Sequence, residues 1–399
     1  MPTITLEELT EACRPGGSSA LTSTTPLRPA EGPHAAVAPA KYVSGGQSTF
    51  AFETRFVDGE AKHSVLIDSK QSQLNRVEET LHQAVQDGHS TISRTPRIEV
   101  TYGDQVTSDL QLPHRAFDGH IRAGSVDGRP VTQLEIYRRG RDASKADAKS
   151  LLEMSPGSLV FGSWDSSRAS NQARFQSALT GEIIGVLADQ SGQVAENPPR
   201  RGGARVDPVG MSVQLSQEDV ESLVTDQEES MSAKTVERIR GDAKKAKGSG
   251  MSGSALGLGG VPPALEALGG VACSQIIRSH VLSFAALRQL RFGAGPEGDA
   301  ACRALLAAFA LNGLARADAE LNLRANCHLV EAGPATVVLD MRHGRTRELE
   351  ALSIEQADEL LAAAVEQAVE QAGISWDGQV LQVQGSPLVA GAAEDAGDE

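Results

Sequence analysis

The stretch from Leu66 to Val85 most constrains what this chain can fold into. Val65, Leu66 and Ile67 read as the end of a buried strand, and Asp68 or Ser69 can cap the helix that follows. On that helix Leu74, Val77, Leu81 and Val85 fall near helical spacing and form an apolar stripe. The first two turns instead carry Lys70, Gln71, Ser72, Gln73, Asn75 and Arg76, with no acidic residue among them until Glu78. Free amide protons and the positive end of the helix dipole meet at the same place, which suits an anion such as a phosphate. On pattern alone a solvated helix face is the better explanation of these residues. The chemistry favours the anion: amides and one or two cations stand where Glu and Lys are usually mixed.

The chain around this stretch has 399 residues, enough for two or three ordinary domains or one large domain with insertions. Aromatic residues make up only 4%, so aliphatic side chains must fill most of the core. No run approaches the ~18 apolar residues of a membrane span. The nearest, Ala304 to Ala315, is interrupted by Asn312 and fits a buried helix. The N-terminus lacks the basic start and apolar centre of a signal peptide. Cys13, Cys273, Cys302 and Cys327 have no CxxC spacing, so free thiols in a reducing cytoplasm are expected. Net charge is −15, which argues against indiscriminate nucleic-acid binding. From Glu331 onward 3 Arg and 14 acidic residues give −11, which leaves −4 for residues 1–330 and permits a local basic groove.

In chain order, residues 1–48 are rich in Pro, Ser, Thr, Gly and Ala and read as an extended arm. Thr49 to Val57 reads as a strand, Asp58-Gly59 as a turn, and His63 to Ile67 as its hairpin partner. The helix follows, then a strand at Arg97 to Tyr102. Strand, helix, strand is the half-unit of an α/β or ferredoxin-like sandwich.

Two further stretches carry chemistry. In 112–122, His114, Asp118 and His120 are of metal-ligand type, but no other cluster completes a site. A helix whose His114, Arg115 and Arg122 face solvent or RNA is simpler. In 155–168, Leu159 to Phe161 read as a short buried strand that Gly162 lets the backbone leave. Trp164, Asp165, Ser166, Ser167 and Arg168 then fall on a polar loop, where an aromatic, hydroxyls and an Arg can stack a base and hold its phosphate. A Trp packed on the sheet edge, with Asp165 capping a turn, fits the same residues.

Composition changes from Glu196 to Pro263. Polar helices are expected within Leu215 to Asp242, and Lys244-Lys245-Ala246-Lys247 leads into a Gly/Ser run. Residues 248–253 match GxGxxG by letter but follow lysines and not a strand, so the dinucleotide reading fails its context. Regular structure resumes with a long strand at Val271 to Phe284, which carries Arg278 and His280, and a buried helix at Ala301 to Leu314. Cys327 to Glu331 and Thr336 to Met341 suggest a hairpin. A helix at Ile354 to Ala372 and a closing strand at Gln379 to Gln384 complete a second half.

Three motifs, 66–76 (Leu-Ile-Asp-Ser-Lys-Gln-Ser-Gln-Leu-Asn-Arg), 114–118 (His-Arg-Ala-Phe-Asp) and 155–166 (Ser-Pro-Gly-Ser-Leu-Val-Phe-Gly-Ser-Trp-Asp-Ser), occur in an order that resembles one family. It is the backbone subunit of the type I-G (formerly I-U) CRISPR Cascade complex, a RAMP-superfamily protein of the Cas-seven type. The resemblance implies an α+β fold, a modified RRM-like or ferredoxin-like palm with inserted finger and thumb elements. The divisions expected are an arm (1–48), a first half of the palm (49–195), a flexible or helical insertion (196–262), a second half (263–389) and a disordered acidic tail (390–399).

It also implies a cytoplasmic, non-enzymatic protein that polymerises along a guide (crRNA), with no cofactor and no membrane. Its partners would be the crRNA, target DNA through the guide, further copies of itself in a helical filament, and other Cascade subunits. Those include a large subunit and a guide-processing or end-capping subunit. With three Tyr and two Trp the chain is poorly supplied for base stacking on a sheet, so a grip on phosphate and ribose fits better. The RNA-binding residues expected are Lys70, Gln71, Ser72, Gln73, Asn75, Arg76, His114, Arg115, Trp164, Ser166 and Arg168. Arg278 is a weaker candidate that an ion pair explains equally well. The alternative is a RAMP-type endoribonuclease using His114 with His120, or Asp118.

Overall fold

The computed structural model describes residues 1–168, 172–202, 213–246, 250–258, 265 and 268–390. It is mixed α and β and divides into two units, residues 1–198 with 270–386, and residues 199–269 with 387–399.

The larger unit begins with helix α1 (Leu6–Cys13), strand β1 (Ala20–Pro29), strands β2 (Phe52–Val57) and β3 (Glu60–Asp68), and helix α2 (Lys70–Gln86). Next come β4 (Arg97–Tyr102), β5 (Gln105–Ser108), helix α3 (Glu135–Arg141), the short helix α4 (Gly157–Val160) and β6 (Leu179–Leu187). After the second unit follow β7 (Cys273–Ser283), helix α5 (Gly295–Glu320), β8 (Leu329–Glu331), β9 (Thr336–Asp340), β10 (Thr346–Leu349), helix α6 (Ile354–Ala372) and β11 (Val380–Gln384).

The main sheet is antiparallel throughout, in the order β10-β9-β1-β7-β6-β3-β2, with β8 pairing β1 beyond the end of β9. Within it, β1, α2, β6, β7, α5 and β9 follow one another as a βαββαβ series whose strands lie fourth-first-third-second. The hairpin β2–β3 widens that series on one edge. Its turn is the expected Asp58-Gly59, both with positive φ (52° and 82°), as a type I′ turn requires.

Residues 1–48 are therefore not an extended arm. They contain α1, and β1 lies between β7 and β9. Leu21, Ser23, Thr25, Leu27 and Pro29 are its buried positions, so two of the five inward residues are hydroxyls and the alternation is hard to see in the sequence. Pro26 also interrupts the strand signal.

Two other expectations change. Cys327 to Met341 is not a hairpin, because β8 and β9 both pair β1, one after the other. The strands expected at Arg97 to Tyr102 and Gln379 to Gln384 do form, but as a parallel pair in a separate sheet that also holds β5 and two short strands at 125–126 and 129–130. The strand that follows α2 in the main sheet is β6.

Helices cover one face of the main sheet. Helix α5 is long and apolar enough to cross a membrane, yet it lies buried along nearly its whole length, packed against α1, α2 and α6. Trp376 is fully buried against Phe309 of α5, ring centroids 6.1 Å apart. Helix α6 spans the expected residues, with a capping box of Ser353 and Gln356 and a left-handed Gly373 at its end.

In the smaller unit, helices Gln217–Gln227 and Ala233–Lys245 pack through Val220, Val224, Val236, Ile239 and Ala243, and Arg240 pairs with Glu221 and Glu228. This meets the expectation of polar helices. Gly248 and Ser249 of the GxGxxG-like run, and the acidic tail from residue 391, lie outside the described residues.

Deleting residues 1–30 would leave β7 and β9 without the strand between them. We expect cooperative unfolding of the larger unit to be lost, followed by circular dichroism, whereas loss of a mere arm would leave the melt unchanged.

Candidate nucleic-acid interface

The junction between β3 and α2 forms as the sequence reads. Ser69 is the N-cap and accepts from the Ser72 amide (3.2 Å), which satisfies one of the free donors of the first turn. The carboxylate one residue earlier decides the rest. Asp68 is fully buried and accepts from Ser72 Oγ (3.0 Å), Gln73 Nε2 (2.6 Å), Arg76 Nε (3.1 Å) and Arg324 Nη2. Burial opposes its charge, but hydrogen bonds from Arg76 and Gln73 and the fields of Arg76 and Arg324 hold its carboxyl below the usual range. Arg76 also donates to the Asn322 carbonyl. Ser72, Gln73 and Arg76 are thus engaged inside the protein, while Lys70, Gln71 and Asn75 are exposed.

The 112–122 segment departs further from expectation. His114 is exposed, but Arg115 is buried and does not face solvent. Its guanidinium grips both Glu78 carboxylate oxygens, donates to the Gly162 carbonyl (2.7 Å) and lies 5.8 Å from the Phe161 ring centroid. Arg115 therefore pins α2 to the 155–164 segment. Burial pushes the Glu78 carboxyl up to about 7 against the pull of this arginine. Asp118 is buried and accepts from the amides of His114 (3.1 Å) and His120 (2.9 Å). The His120 ring meets Tyr102 Oη (2.9 Å), and Arg122 donates to the Phe117 carbonyl. Among the described residues no three His, Cys, Asp or Glu gather as a metal set.

Arg278 is equally internal: it pairs with Asp318 (3.2 Å) and Glu331 (3.0 Å). It helps to floor a cleft of about 540 Å³ beside α2 and the end of α5. Both guanidiniums in the cleft wall, Arg76 and Arg278, are already paired, and Glu78, Glu79, Asp318 and Glu320 also line it. Burial drives His280 in the same wall down to about 3, so its imidazole is neutral. The cleft does not suit an anion.

In 155–168, Gly157 to Val160 form a helical turn and not the expected strand. Pro156 adopts helical angles (φ −60°, ψ −28°) and starts the turn, and Ser155 Oγ is held by buried Asp109. Gly162 does redirect the chain, with φ 84°, and a Cβ there would come within 2.9 Å of the Ser177 amide. Ser163–Trp164 then pairs with Arg174–Phe175.

Trp164 is 49% exposed, and the Arg174 guanidinium lies 5.2 Å from its ring centroid. Asp165, buried, accepts from Arg141 Nε (2.6 Å) and from the amide and hydroxyl of Ser167. Although burial opposes its charge, these bonds keep its carboxyl below the usual range. Arg168 donates to the Arg141 carbonyl (3.0 Å) and pairs with Asp142 (2.7 Å), while Ser166 is exposed. The loop is thereby fastened to the end of α3. The sequence reading missed α3, whose only signal is Tyr-Arg-Arg-Gly-Arg at 137–141, and it missed Arg174 as the partner of Trp164.

Residues 21–190 match the family described as CRISPR-associated protein GSU0053. The match covers rather less than half of the chain and supports a CRISPR-associated protein with a part in CRISPR defence. No curated protein matches the chain.

Asp68→Asn should lower stability at neutral pH by about 3 kcal/mol, because two guanidiniums lose their shared counter-charge. The folded carboxyl titrates below its unfolded value of about 3.9, so its stabilisation is present above that pH and lost as pH falls. Denaturant unfolding of the variant should therefore show a shallower acid-side decline. Gly162→Ala should cost about 1–3 kcal/mol in the same assay, through strain at positive φ and the approach to Ser177.

Proposed function

We propose that this protein is a guide-RNA-binding backbone subunit of a CRISPR effector complex, of the type I-G Cascade kind. It grips phosphate and ribose without chemistry and leaves base edges free to pair with target DNA. The observation that carries this reading is the family match over 21–190, a span that holds β1, the β2–β3 hairpin, α2 and the Trp164 loop. The fourth-first-third-second strand order supports an RRM-like palm.

An RRM reads bases with aromatics on its sheet. Strands β1, β6, β7 and β9 of the βαββαβ series contain no Phe, Tyr or Trp, and the aromatics of the main sheet, Phe52 and Phe56, lie on its edge strand β2, which favours a grip on the backbone. At the start of α2 the residues left for that grip are Lys70, Gln71 and Asn75, with His114 and Ser166 as further exposed candidates. Ser72, Gln73, Arg76, Arg115 and Arg278 act by positioning, since each is held by an internal partner. Several copies would share one guide in a cytoplasmic filament together with the other Cascade subunits.

Expression with a CRISPR array and the partner subunits, followed by sequencing of co-eluting RNA, tests the proposal. Uniform repeat-derived RNA in a large complex is expected, and an RNA-free monomer would overturn it. Lys70→Ala should weaken RNA binding evenly across sequences and reduce the salt slope of log K by about 0.7, one single-strand phosphate contact. Arg76→Ala should instead act first on the melting temperature.

A further inference from the structure

Most arginines near the expected RNA-binding motifs are spent on internal acids, but those around Trp164 are only partly spent. Arg138, Arg139, Arg141, Arg168 and Arg174 stand there against Glu135, Asp142 and Asp165, a local positive excess in a chain of net charge −15. Arg141 and Arg168 are committed to Asp165 and Asp142. Arg138 and Arg139 are exposed. Among the described residues Arg138 has no ion-pair partner, and Arg139 reaches Glu135 only at 4.0 Å. The two committed pairs hold the end of α3 against the loop, so Arg138 and Arg139 sit within about one helical turn of Arg141, which is fastened to Asp165, the residue after Trp164.

Trp164 is unusual in this chain. It is one of only two tryptophans, and the other, Trp376, is fully buried. Leaving a large ring half in water has a cost that packing would remove, and here an arginine lies over it while about half of its surface stays open. A ring and a planar guanidinium in contact offer a flat, electron-rich and positively charged surface, the chemistry that takes an unpaired base beside its phosphate.

We propose that Trp164 and Arg174 form a stacking platform for one unpaired nucleobase of a bound single strand, with adjacent phosphates held by Arg138 and Arg139. The proposal rests on the RNA-binding reading above and adds a base contact to a grip otherwise confined to the backbone. The platform needs an unstacked base, so it selects single strands over duplex.

Intrinsic fluorescence of the full-length protein tests this directly. Trp376 is shielded, so quenching by added RNA reports on Trp164. A single-stranded oligouridylate should quench the emission saturably, and a duplex of equal length at equal occupancy should not. Trp164→Phe keeps a ring for stacking, so it should retain affinity, measured by anisotropy of labelled RNA, and lose the quenching. Trp164→Ala should bind about five- to a hundredfold more weakly. Arg138→Ala with Arg139→Ala should flatten the salt dependence while leaving the quenching at saturation intact. Wild-type affinity in Trp164→Ala, or equal quenching by duplex, would overturn the platform and leave the guide-binding reading standing. No anisotropy change with any RNA would overturn both.

Discussion

The buried carboxylate of Asp68 is the interaction on which the larger unit most depends. It ends a strand, precedes a helix cap, and takes donors from three residues of that helix and from Arg324, more than 250 residues later. A lone carboxylate in such a place would be costly to ionise. Two guanidiniums make the charge favourable, and the same bonds fix the angle at which α2 leaves the sheet. Arg324 also donates to the Ile67 carbonyl, so the two halves of the chain are joined at backbone as well as side chain.

The same device recurs. Arg115 with Glu78 ties α2 to the segment before Trp164, Arg141 with Asp165 ties that segment to α3, and Arg278 with Asp318 and Glu331 ties β7 to α5 and β8. Each acid is distant in sequence from its arginine. Buried pairs of this kind contribute modest net stability but specify which elements meet. The pairing also separates two kinds of polar residue that look alike in the sequence. Arg76 and Arg115 organise the surface, and Lys70, Gln71, Asn75 and Arg138 are the ones presented on it.

This explains how much could be read beforehand. Helix 354–372 was legible to the residue because its cap, its stripe and its terminal glycine are all local. The Asp58-Gly59 hairpin and α2 were legible for the same reason. β1 was not, since its inward Ser23 and Thr25 are hydroxyls that meet a polar floor, Arg278 among it, which only the folded sheet supplies. The sheet to which Arg97 to Tyr102 belongs was equally hidden, because its partner, Val380 to Gln384, lies almost 300 residues away. At the site, the cluster of donors on α2 was plain, but their target was not: Asp68 stands one residue before the cap and looks like a capping residue itself.

The place of β1 has a consequence for how the protein is made. It is made well before its partners, since β7, β8 and β9 all lie beyond residue 272. At ordinary synthesis rates of about 5–20 residues per second, a strand with two open edges waits tens of seconds for its partners. The β2–β3 hairpin can close at once, while the sheet as a whole cannot. Polar Thr22 and Thr24 and the proline within β1 suit that interval, since they make the waiting segment a poor template for pairing with another chain.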